Sequence, residues 1–100
     1  MSKPRITFAI KKDDQGEPVE VYLYLNPDGR DQLVAELQHL SEQSDHFHMQ
    51  HDELIVEVLM RDVPYESDEI IPWHVKVMLR PDDWDRRYFP HVMKDDAPSA

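Results

Sequence analysis

Val19-Glu20-Val21-Tyr22-Leu23-Tyr24-Leu25-Asn26-Pro27-Asp28-Gly29, followed by Leu33, Val34, Leu37 and Leu40, is where the chain changes its period. Val19, Val21, Leu23 and Leu25 recur every second residue, with Glu20, Tyr22 and Tyr24 between them. Successive side chains of a strand point to opposite faces, so this is a strand with one aliphatic and one polar-aromatic face. The four later apolar residues fall on one stripe at helical spacing. Asn26 suits the N-cap and Pro27 the first helical position, while Asp28 and Asp31 complement the helix dipole. The helix is predicted to run to about Gln43, with Ser44-Asp45 as its stop and Leu37 as its anchor in the core.

Upstream, Ile6, Phe8 and Ile10 alternate with Thr7 and Ala9, and Asp13-Asp14-Gln15-Gly16-Glu17-Pro18 reads as a turn, so the first two strands form a hairpin. Downstream, Phe47 and Met49 alternate with His46, His48 and Gln50, and Leu54, Val56, Val58 and Met60 alternate with Ile55, Glu57 and Leu59. A polar, acidic loop is expected over residues 61–72, before a strand carrying Trp73, Val75, Val77 and Leu79. Pro81-Asp82-Asp83-Trp84-Asp85-Arg86-Arg87 reads as one or two helical turns, acids first and bases last. The order is β-β-α-β-β-β. It predicts an α+β fold: an antiparallel sheet of about five strands with one long helix packed on one face. Residues 1–90 make a single domain and residues 91–100 a flexible C-terminal tail.

Charge is unevenly spread. Residues 28–69 hold twelve carboxylates against Arg30 and Arg61, which equals the net charge of −10 for the whole chain, while both flanks are neutral. Such a field steers cationic partners and repels phosphate backbones, so nucleic acid is excluded as a partner. With no cysteine, disulfides, thiolate chemistry and cysteine-bound zinc are excluded as well. No apolar run approaches a membrane span or a signal-peptide core, which makes a cytoplasmic protein without membrane association the expectation.

No serine lies in a nucleophile-elbow context, and two glycines cannot build a phosphate loop, so no enzymatic activity and no cofactor are expected. His46 and His48 share one side of a strand and could reach one metal, with His51, His74 or Glu57 as further ligands. They lack a convincing fourth ligand, and no metal site is expected; a metal-binding protein or metal-dependent enzyme using this His cluster is the alternative. Acids in loops lack the glycine-centred spacing of calcium sites. Partner binding is expected instead from Glu66, Asp68 and Glu69 in the acidic loop, and from Tyr22, Tyr24, His46 and His48 on the polar sheet face, since aromatics are enriched in interfaces. A third reading is a structural homodimer paired through that Tyr/His face.

Val21-Tyr22-Leu23-Tyr24-Leu25-Asn26, then Gly29 with the Leu33/Leu37/Leu40 helix, then Ser44-Asp45-His46-Phe47-His48-Met49 and Asp52-Glu53-Leu54, resemble a family of small immunity proteins of bacterial polymorphic toxin systems. The resemblance covers residues 20–60. Between the His pair and Glu53-Leu54 that family carries a longer, glycine-containing linker with a tryptophan, where this chain has only Met49-Gln50-His51-Asp52. The resemblance implies a stoichiometric inhibitor of a cognate toxin, and the acidic field makes a basic, nuclease-like effector the fitting target class.

Overall fold

The hairpin forms as its alternation predicts. In the computed structural model, which describes residues 3–51 and 56–96, β1 (Ile6–Lys12) pairs antiparallel with β2 (Pro18–Leu25), placing Ile6 opposite Leu25, Phe8 opposite Leu23 and Ile10 opposite Val21. The Asp13 carboxylate accepts from the Gln15 and Glu17 amides across the turn, and Gly16 takes a left-handed φ of 79° that a side chain would disfavour.

The cap signal is also realised. α1 (Pro27–Gln38) begins at Asn26, whose Oδ1 accepts from the Gly29 amide at 2.7 Å and from the Arg5 amide at 2.8 Å, while its Nδ2 donates to the Lys3 carbonyl. One side chain thus caps the helix and ties it to the segment entering β1. A methyl group at Gly29 would collide with the Arg5 carbonyl oxygen, which explains a glycine inside the first helical turn. The helix stops at Gln38 rather than near Gln43, because Ser41 and Ser44 bond each other's backbones and the Ser41 hydroxyl accepts from the Ser44 amide.

The strands do not form one five-stranded sheet. Among the described residues they make two three-stranded sheets, ordered β2-β1-β5 and β4-β3-β6. Here β3 is His46–Gln50, β4 Val58–Leu59, β5 Glu69–Ile70 and β6 His74–Met78. β5 lies inside the stretch expected to be a loop, and its Ile70 pairs with Ile10. Both edges of β1 are therefore engaged, by β2 along its length and by β5 at Ile10 and Lys11, and β3 lies in a second sheet. There β6 pairs antiparallel and β4 parallel to it, contrary to the all-antiparallel expectation. Of the strand expected over residues 54–60, Leu54 and Ile55 lie outside the described residues. A second helix, α2 (Asp82–Tyr88), follows as expected, with Arg80 over the Trp84 ring at 4.3 Å and Arg86 paired to Asp83. Pro90–Asp96 then forms 3-10 turns. No helix among the described residues is long and apolar enough to cross a membrane.

Ile6, Leu33, Phe47, Met49, Val58 and Met60 form the core, with Phe8, Leu40, Val75 and Val77 packed against it. It joins α1, the second sheet and only one end of the first. Leu33, 9% exposed, is the helix anchor; Leu37, at the centre of the predicted stripe, is 46% exposed. The aliphatic face of β2, expected to be buried, grows more exposed away from the core, from 38% at Leu25 to 57% at Val21. The physical reason is placement: the core sits at the Ile6 end of β1, and the hairpin projects beyond it.

Candidate partner-binding face

The opposite face of the first sheet is the better covered one. Thr7 and Ala9 on the central strand β1 lie opposite Tyr24 and Tyr22 and are buried. Small residues in the middle of a sheet leave room for large neighbours to close over them. Tyr22 and Tyr24 meet edge to face at 5.8 Å, and Tyr65 stacks on Tyr24 with ring centroids 3.9 Å apart and planes within 16°. Offset or edge-on ring pairs of this kind are favourable beyond the area they bury.

Glu69 holds this assembly in place. The first residue of β5, it is 5% exposed, and each carboxylate oxygen is engaged. Oε2 accepts from the Tyr24 hydroxyl at 2.6 Å, and Oε1 accepts from the Tyr65 and Glu66 amides at 2.9 and 3.1 Å. The Tyr24 hydroxyl and these amides hold the Glu69 carboxyl below its usual range, and the carboxylate in turn pushes the Tyr24 phenol up. Glu69 is thus committed to its own loop, and its carboxylate fixes the ring that Tyr65 stacks upon.

Around the rings lies the acidic rim. Glu20 faces Lys11 across the strands and pushes the Tyr22 phenol up through a side-chain hydrogen bond. Lys11 pairs with Asp68 at 3.6 Å and sits 5.7 Å from the Tyr22 ring centre, while the Lys12 amide donates to the Asp68 carbonyl. Glu66 is exposed. Five of the residues singled out from the sequence, Tyr22, Tyr24, Glu66, Asp68 and Glu69, therefore converge on one face. Tyr65 belongs with them and was missed; its signal was a lone aromatic between Pro64 and an acidic run. A cleft of about 240 Å³ adjoins it, lined by Arg5, Thr7, Arg61, Val63, Pro64 and Tyr65.

His46 and His48 are elsewhere, on β3 of the second sheet, and do not share a face with the tyrosines. The His46 ring lies 2.8 Å from the Asp45 carboxylate and holds that carboxyl below its usual range. His48 Nδ1 and His74 Nε2 are 2.7 Å apart in rings within 14° of coplanar, so one nitrogen donates and the other accepts. Two nitrogens that point at each other do not converge on an ion, and no group of three or more metal-competent side chains occurs among the described residues. The Glu57 carboxylate accepts from the His48 amide; its own amide and that of His48 keep it below the usual range. A separate cleft of about 390 Å³ lies beside α2, where Arg80 and Trp84 already occupy each other.

Comparison with protein-family models, curated proteins and solved structures finds no match to this chain.

Proposed function

We propose that this chain is a non-enzymatic binding domain that takes a basic protein partner on its tyrosine face. One observation carries the reading: an exposed ring, Tyr65, stacked on a second ring whose hydroxyl is anchored by a buried carboxylate, with acids around them. Aromatic side chains held in place in advance are strong interface anchors, because little rotamer entropy is lost when they are covered. Their faces also accept cations, a preference Lys11 already expresses within the chain at Tyr22. Glu20, Glu66 and Asp68 supply the rim that accelerates encounter with a positively charged surface. A stoichiometric inhibitor of a basic, toxin-like effector is the specific form of this reading. It rests on the immunity-protein resemblance of residues 20–60 together with the acidic rim.

The test is capture from an extract of the source cell with three baits: wild type, Glu20→Lys/Glu66→Lys and Tyr65→Ala. These positions are exposed, and circular dichroism of the three baits is expected to show the same fold. A basic protein held by wild type, eluted by moderate salt and lost by both variants supports the proposal. A partner held equally by all three places binding elsewhere and refutes this face.

A further inference from the structure

The other face of the same sheet remains unexplained. Val21, Leu23 and Leu25 of β2 and Ile70 of β5 are all exposed, and they share that face with the half-buried Phe8 and Ile10 of β1. It is an aliphatic surface on a hairpin that projects past the core. We propose that a second copy of this chain covers it, the two hairpins packing face to face about a two-fold axis.

The dimensions of the chain leave room for this occupant. Its radius of gyration is 16.6 Å, where a compact domain of this length has about 13 Å. Its accessible surface is 7705 Å², against about 5,900 Å² for a compact monomer of 11.9 kDa. A standard interface takes about 800 Å² from each partner, well within that surplus. An apolar sheet face open to water leaves hydrophobic surface to be buried, and stacking two such faces about 10 Å apart makes a sandwich. An isologous contact needs a surface that complements itself, and an aliphatic face whose one charge by strand alternation, Lys12, lies at its turn end does so. The segregation of charge favours the same arrangement. Lys11, Glu20 and Glu69 lie with the tyrosines on the opposite side of the sheet, so pairing buries none of them. The tyrosine face then stays free in both copies, and the dimer presents two of them.

The sign of the salt dependence separates this contact from the one proposed above. Two chains of net charge −10 repel, so added salt tightens the dimer, whereas it weakens capture of a basic partner. Sedimentation equilibrium of the full chain, from about 100 μM to about 1 μM, is expected to show a species of twice 11.9 kDa that dissociates on dilution and persists further at higher salt. Val21→Asp/Leu23→Asp is expected to be monomeric throughout, with an unchanged circular dichroism spectrum, while Tyr22→Ala on the opposite face remains dimeric. Because the chain has no cysteine, Leu23→Cys offers a second readout that tolerates a fragile double variant. A short bismaleimide should link two copies at this position and fail to do so for Asp83→Cys on the far helix. A monomeric wild type overturns the proposal. So does a dimer that survives the double aspartate variant, or equal crosslinking at both positions.

Discussion

Replacing Leu33 and Leu37 in turn by alanine tests the placement of the helix, because the apolar stripe puts Leu37 at its centre whereas the structure buries Leu33. Leu33 is 9% exposed and packs with Ile6, Phe47, Met49, Val58 and Met60. Truncating a buried leucine removes its transfer free energy and leaves a cavity, together costing about 2–5 kcal/mol. Leu37 is 46% exposed, so roughly half of the 1.5–3 kcal/mol for full burial is at stake, about 1 kcal/mol. Alanine returns a few tenths of that through its better helix propensity, roughly 0.2 kcal/mol. Urea unfolding followed by circular dichroism reads the difference. With a slope of about 1–3 kcal/mol per molar for a small domain, Leu33→Ala should lower the midpoint by roughly 1 M or more, and Leu37→Ala by a fraction of that. Equal midpoint shifts, or a larger one for Leu37→Ala, would refute the position assigned to α1.

Gly29→Ala should destabilise the fold well beyond the ordinary preference for alanine in a helix, because its methyl group meets the Arg5 carbonyl; a melting temperature at or above wild type would contradict the close approach. The Glu69 carboxyl is depressed in the folded state, so its contribution is complete above the ordinary glutamate value of 4.5 and is lost as pH falls through the lower folded value. Acid unfolding should therefore steepen in that window for wild type and flatten for Glu69→Gln, and identical acid limbs would exclude the Tyr24–Glu69 bond as a cause. Tyr24, raised by the same bond, should ionise above the ordinary tyrosine value of 10.0, which ultraviolet titration against Tyr24→Phe can show. Calorimetric titration with zinc should find no stoichiometric site at His48 and His74, since their nitrogens face each other. Tight uptake abolished by His48→Ala would contradict that geometry.

Local features were legible in the sequence wherever one residue and its neighbours decide the outcome. Asn26-Pro27 announced the helix start, and the strand alternation at Ile6–Lys12 and His46–Gln50 held, with Phe47 and Met49 both buried as that pattern requires. What failed was non-local. Periodicity says that Val21, Leu23 and Leu25 share a face but not whether anything covers it, and here the core lies at the other end of β1. Nor does it say which strands are neighbours: the two residues Glu69–Ile70 were too short to stand out in an acidic segment, yet they pair with β1 at Ile10 and Lys11, while β3 lies in a second sheet. The candidate site divides in the same way. The tyrosines and acids could be named from composition, but the internal role of Glu69 depends on amides and a hydroxyl brought from 45 residues away and from its own loop.

The central claim is that Tyr22, Tyr24 and Tyr65 with their acidic rim form a specific platform for cationic partners. Titrating the isotope-labelled full chain with an arginine-rich peptide, and mapping amide and tyrosine-ring shifts by NMR, tests it most directly. The account predicts saturable shifts at Tyr22, Tyr65, Glu66 and Asp68 that fade with salt, with the Asp82–Tyr88 helix, where Arg86 and Arg87 offset three acids, unperturbed. Shifts spread evenly over the tyrosine face and α2, or confined to α2, would contradict it.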